Sequence, residues 1–165
     1  MCIRDRYIEY LPSGVKSVIG GYQNGLKEGI WETYREDGSI FSIGNYSNDL
    51  QEGDWKYFYR NGNLSSEGKY LNSFKDGQWI YYYESGNLDE IGSFLSGLKH
   101  ELWGRFYESG ELKQEEKYSY GKLLNVSSFN LLDGNKIENS TFVDGNGQLY
   151  DCLLYTSDAA DDLLC

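Results

Sequence analysis

Aromatic, glycine and polar positions recur along this chain in a fixed order. Trp31, Trp55, Trp79 and Trp103 stand 24 residues apart, and Gly14, Gly38, Gly62, Gly86, Gly110 and Gly134 keep the same period. One unit runs through Gly53, Trp55, Phe58, Gly62, Leu64, Gly68 and Tyr70, and the next through Gly77, Trp79, Tyr82, Gly86, Leu88, Gly92 and Phe94. Such self-similarity marks a repeat architecture, in which each unit buries its apolar surface on its neighbours. Two turn signals recur per unit. One is Asp37-Gly38, Asn61-Gly62, Ser85-Gly86 and Ser109-Gly110; the other is Asn24-Gly25, Asn48-Asp49, Asn72-Ser73, Ser96-Gly97 and Tyr120-Gly121. Turns between runs rich in tyrosine and branched residues predict consecutive β-hairpins. The expected fold is all-β: an elongated, open single sheet of tandem 24-residue hairpin repeats.

Reading Asp37-Gly38 as a two-residue loop fixes a register. Trp31 then faces Gly44, and Gly29 faces Tyr46, so large lies opposite small twice. In the next hairpin Trp55 faces Gly68, Asp54 faces Lys69 and Lys56 faces Glu67; in the following one Ile80 faces Ile91. Cross-strand matching of this kind supports the pairing. A ring over a cross-strand glycine covers exposed backbone. The expected ladder therefore stacks Trp31 over Gly44, Trp55 over Gly68 and Trp79 over Gly92, with Trp103 continuing it. Side chains alternate faces along a strand. Gly29, Trp31, Ile40, Gly44 and Tyr46 are thus expected on one face. Tyr34, Phe58, Tyr82 and Phe106 fall on the other, opposite Phe41, Ser65, Asp89 and Lys113. With Tyr10 they form an aromatic stripe in a polar field, the candidate binding surface. A contiguous exposed apolar stripe generally means a partner.

The ends read differently from the body. Met1 to Asp5 and Cys152 to Thr156 can be written as codons that are nearly reverse complements. An inverted sequencing adapter at both ends of a DNA fragment explains that relation. The expected organisation is adapter-derived sequence over 1–6 and 152–165, five tandem hairpin repeats over 7–125, and a degenerate sixth repeat with the start of another over 126–151. On this reading the chain is a fragment. Cys2, Cys152 and Cys165 all fall in the excluded ends, which leaves the body without thiol chemistry or a disulfide framework. The compartment stays open, cytoplasm or cell envelope.

Charge narrows the partners. Fifteen Lys and Arg stand against 26 Asp and Glu, a net charge of −11. An acidic body repels phosphate backbones and anionic headgroups, so neither nucleic acid nor an anionic membrane is an expected partner. No apolar run is long enough to span a membrane.

The unit seen from Gly53 to Tyr70 and from Gly77 to Phe94 resembles the bacterial variant of the MORN repeat, well over roughly 7–125 and more weakly to 151. The resemblance implies hairpins stacked into an elongated, curved single sheet. It also implies binding or scaffolding; some bacterial members are antitoxin-like. It supplies no catalytic residue set. Glu101, Glu116 and Ser127 depart from the unit in its last copies.

Chemistry is sparse. His100, the only histidine, lies where sister units carry Glu28, Glu52 and Asp76. It reads as a turn residue before it reads as a base or metal ligand, because no second unit repeats it. Glu115-Glu116 and the turn acids are weak acid–base candidates. Asp133-Gly134-Asn135 and Asp144 to Gly147 are only partly like calcium loops, without the bidentate glutamate. No cofactor, metal or catalytic residue is expected. The reading is a non-enzymatic module for protein binding or scaffolding, for which a basic protein partner is easier than an acidic one. An antitoxin or immunity-like protein that neutralises a basic partner is the first alternative, and an envelope carbohydrate-binding module the second.

Overall fold

The structure is a computed structural model and describes residues 4–130 and 136–137. Among the described residues thirteen strands form one sheet: β1 (Arg4–Tyr10), β2 (Lys16–Gln23), β3 (Leu26–Lys27), β4 (Gly29–Tyr34), β5 (Ile40–Ser47), β6 (Leu50–Phe58), β7 (Leu64–Leu71), β8 (Phe74–Tyr82), β9 (Leu88–Leu95), β10 (Leu98–Phe106), β11 (Leu112–Ser119), β12 (Lys122–Asn130) and β13 (Lys136–Ile137). Their spatial order is their chain order, and neighbours run antiparallel; β3 and β4 are two pieces of one strand broken at Glu28. Neighbouring strands lie about 4.8 Å apart, so one 24-residue unit advances the sheet by about 9.6 Å. Arg4 to Arg6, set apart from the fold on sequence grounds, extend β1 along β2. Gly134, Phe142, both calcium-like loops and the tail from Cys152 lie outside the described residues.

The two turns of each unit differ, and the two-residue loop belongs to the second. Gln23 pairs with Leu26 around Asn24 and Gly25, and Leu71 pairs with Phe74 around Asn72 and Ser73. Both loop residues have positive φ, at 51° and 67° for Asn72 and Ser73, the mirror-image turn that suits twisted strands. The first turn is longer. Arg35 N–H donates to Ser39 O at 2.8 Å, and Gly38 N–H donates to Arg35 O at 2.9 Å. Glu36, Asp37 and Gly38 thus make a three-residue loop, with Gly38 at φ 83°.

A bulge then restores the expected register. Tyr34 pairs with Ile40, Phe41 is skipped, and Thr33 pairs with Ser42. From there Trp31 pairs with Gly44 and Gly29 with Tyr46; Trp55 pairs with Gly68 and Trp79 with Gly92. The pairing is the one read from the sequence, although the loop is not.

The core is one face of this single layer. Trp31, Trp55, Trp79 and Trp103 are 0–4% exposed. Tyr70 meets Trp55 and Trp79 edge-on, and Phe94 meets Trp79 and Trp103 in the same way. Lys75 and Lys99 hold their ammonium groups 4.1 and 3.9 Å from the indole centroids. Edge-to-face rings and cations over rings are favourable arrangements. A buried indole removes about 200 Å² from water, on the order of 5 kcal/mol per unit before entropy.

The stacking partner differs from the sequence expectation. Each indole lies over the glycine of the preceding strand, not over its hairpin partner. A Cβ on Gly44 would stand 2.1 Å from Trp55 Cδ2, one on Gly68 2.3 Å from Trp79, and one on Gly92 2.1 Å from Trp103. Trp31 sits likewise over Gly20. The cause is a second bulge. Gly44 pairs with Trp55 but Asn45 pairs with Glu52, so Gly53 and Asp54 stand outside that ladder. The interruption leaves room beside the carbonyl of Asn45, and the indole N–H of Trp55 donates to it at 3.1 Å. Trp79 donates to Lys69 O at 2.9 Å and Trp103 to Ser93 O at 3.0 Å. The bulge needs left-handed backbone, supplied by Gly53 (φ 70°) and Gly77 (φ 64°). Glu101 holds the same conformation at φ 62° with a side chain.

Candidate interaction surface

The stripe residues Tyr34, Phe58, Tyr82 and Phe106 lie on the face opposite the tryptophans, at the first-turn edge. Their partners are not polar. The bulge pairs them with Ile40, Leu64, Leu88 and Leu112. It thereby moves Ile40 off the tryptophan face and brings Phe41 to that face, 5.9 Å from the Tyr57 ring. The four stripe rings are half-buried, whereas Tyr10 at the end of β1 is 56% exposed.

The stripe's backbone is tied from unit to unit. Tyr59 Oη donates to Tyr82 O at 2.6 Å, and Tyr83 Oη donates to Phe106 O at 2.7 Å. Arg35 donates to Phe58 O in the same column. Tyr34 Oη donates to Glu32 at 2.5 Å, and Tyr82 Oη donates to Glu67 at 2.9 Å. The bond to Glu32, with partial burial and that carboxylate's charge, pushes the Tyr34 phenol up to about 12. Burial, helped by Glu67, raises Tyr82 too.

Between the two turn edges the same face is charged in register. Lys56 and Glu67 pair at 3.5 Å, and Asp54 stands opposite Lys69. With Gln78 and Ile80 these residues line a shallow, open depression of about 640 Å³.

Two of the candidate turn acids, Glu28 and Glu52, and His100 serve turns. Glu28 Oε2 accepts from Asn48 N at 3.0 Å, and Glu52 Oε2 accepts from Asn72 N at 3.0 Å. His100 Nδ1 takes the same place under Tyr120 N, at a long 3.5 Å. Glu115 and Glu116 point to opposite faces and do not converge. Glu116 is 5% exposed on the tryptophan face, bonded to Gln114 and to Tyr118 Oη, with Arg105 Nε 3.8 Å away. It occupies the place of Gly44, Gly68 and Gly92. In the next strand the buried Val126 pairs with Glu116, where sister units set a tryptophan against a glycine, so a side chain fits there. No group of three or more His, Cys, Asp or Glu among the described residues is placed to hold a metal ion.

One feature escaped the sequence reading. Leu26, Leu50, Phe74 and Leu98 recur every 24 residues just after the second turn and are 39–59% exposed. Leu71 pairs with Phe74 and Leu95 with Leu98, and both leucines are exposed as well. They face away from the tryptophans, because their neighbours Tyr70, Lys75, Phe94 and Lys99 point toward them. The period was visible, but apolar residues flanking a turn carry no alternation to reveal which face they share.

This geometry defines a class: an open, single-layer β-hairpin repeat array whose core is a ladder of indoles over glycines. Residues 27–48, 51–72 and 75–95 match the family model described as the MORN repeat variant. Each matched segment begins just after a second turn and ends at or just before the next one, which is the hairpin unit of the sheet. No curated protein matches the chain. Solved structures that match include a chain described as "Crystal structure of accessory secretory protein 1,2 and 3 in Streptococcus pneumoniae", 19% identical, with a TM-score of 0.21. That match covers 71% of this chain and 18% of the other, so the chain spans about a fifth of the length of that protein.

Proposed function

We propose that this protein is a non-catalytic repeat module that binds or scaffolds another protein through the face of the sheet opposite the tryptophans. The observation that carries the reading is the division of labour between faces. The indole ladder supplies the core on one side. The other side keeps periodic aromatic and aliphatic residues in register, with their backbone tied between units. Three matches to the MORN repeat variant agree with a binding or scaffolding module. The net charge of −11 favours a basic partner.

The test is capture by the immobilised chain, beside the double variant Phe58→Ser with Tyr82→Ser. The expected result is saturable retention of a protein that the variant loses while its circular dichroism stays native. Retention unchanged by the variant would move the contact elsewhere. Binding to a glycan array, with no protein retained, would favour the carbohydrate reading and overturn this one.

A further inference from the structure

We infer that the second-turn edge is a docking ridge for an amphipathic α-helix with basic flanks. The inference rests on the protein-binding reading above and names the partner's chemistry. The ridge is Leu26, Leu50, Leu71, Phe74, Leu95 and Leu98, all 37–59% exposed. Isolated exposed apolar residues need no explanation, but a contiguous row in repeat register does. Packing within the sheet accounts for only part of it: Phe74 and Leu98 lean on Gly97 and Gly121 of the next turns and stay half open.

Spacing selects the partner's secondary structure. Successive ridge positions are two strands apart, about 9.6 Å. Two turns of helix advance about 10.5 Å over seven residues, so a heptad of apolar positions keeps step to about 1 Å per repeat and drifts by only about 3 Å over the three steps from Leu26 to Leu98. An extended strand repeats its face roughly every 6.7 Å and falls out of step at once. From Leu26 to Leu98 the ridge is about 29 Å long, the length of a helix of about 20 residues. Lys122 takes the next ridge position and ends it.

Charge selects the flanks. Glu28, Asp49, Glu52, Asp76 and Glu101 stand on the turns and bulges of this edge, and among the described residues none of them sits in an ion pair. Lys69, Lys117 and Lys122 oppose them there. An acidic rim around an apolar row disfavours a second copy of this acidic chain and favours Lys or Arg beside the partner's apolar stripe.

The experiment titrates the full chain into a labelled helical peptide of about three heptads, with Leu at a and d and Lys or Arg at e and g. One control peptide carries Glu at e and g; another is the basic peptide scrambled. Saturable binding of the basic heptad peptide is expected, at least about tenfold tighter than either control. It should weaken at least about tenfold for Phe74→Ser with Leu98→Ser, and stay unchanged for Arg60→Gln, an exposed change at the first-turn edge. Leu71→Lys, a single change at an exposed site, repeats the test if the double variant is unfolded by circular dichroism. Equal binding of the scrambled or acidic peptide, or of the ridge variants, overturns the proposal. So does sedimentation showing that the ridge pairs two copies of the chain. If no peptide binds while Phe58→Ser with Tyr82→Ser still abolishes protein capture, the ridge assignment fails and the protein-binding reading stands.

Discussion

Replacing Gly68 by Ala probes the indole seat directly. The new methyl would stand 2.3 Å from Trp79 Cδ2, and Trp79 is fully buried. Carbon atoms rest comfortably at about 3.5–4.0 Å, so the ring must move by more than about 1 Å. That displacement breaks the 2.9 Å bond from its N–H to Lys69 O. Overpacking costs about 1–3 kcal/mol, and a broken bond with a stranded carbonyl about 1–3 more. Alanine's smaller loss of chain entropy offsets about 0.5–1 kcal/mol of this. The expected net loss is about 3 kcal/mol. Trp79→Ala alone should cost about 3–5 kcal/mol. In that background the methyl has no ring to meet, and Gly68→Ala should cost under about 0.5 kcal/mol. Urea denaturation of the four proteins measures the cycle, with circular dichroism and fluorescence required to coincide before one free energy is assigned to a repeat array. Additive effects of the two changes, within about 0.5 kcal/mol, would refute the seat.

Other consequences follow from single residues. Glu101→Gly should stabilise the chain by about 1 kcal/mol, because a side chain at φ 62° is strained there; an unchanged or lowered urea midpoint would speak against it. Gly53→Ala, with open space around its Cβ but φ 70°, should lose only about 1–2 kcal/mol, well short of Gly68→Ala. Raised phenols predict alkaline lability. Tyr34 is held up to about 12 chiefly by its bond to Glu32, and Tyr70, Tyr81 and Tyr118 are pushed up chiefly by burial. A group whose folded pKa is raised gives stability that is complete below its unfolded value of about 10 and is lost as pH climbs through the folded value. Stability should therefore fall from about pH 10 upward, with late-titrating phenols in the ultraviolet absorbance; Glu32→Gln should bring the Tyr34 phase down, and a single phase near pH 10 would contradict the burial. Tyr118→Phe should cost about 1–2 kcal/mol by removing a donor from the buried Glu116 carboxylate, and an unchanged urea midpoint would show that Arg105 and Gln114 suffice.

The sequence by itself determined the period, the hairpins and the register. It did so because a 24-residue repeat shows every structural constraint several times over. Trp55 opposite Gly68, Lys56 opposite Glu67 and Ile80 opposite Ile91 are each local pair preferences, legible from alternation and spacing alone. The net charge of −11 is also a property of the sequence. Three things were decided only in the folded sheet. The bulge at Phe41 and its sister positions sends Ile40, Leu64, Leu88 and Leu112 to the stripe's face, since one skipped residue inverts every side chain up to the turn. The bulge at Gly53 and Gly77 swings each indole onto the preceding unit, where a backbone carbonyl waits for its N–H. Exposure of the ridge depends on what the next turn covers, which is a fact of packing between units. Pairing depends on residues opposite one another and repeats with the sequence. Where a ring finally rests depends on the nearest free acceptor and the nearest missing Cβ, and those are positions in space that only neighbouring units define.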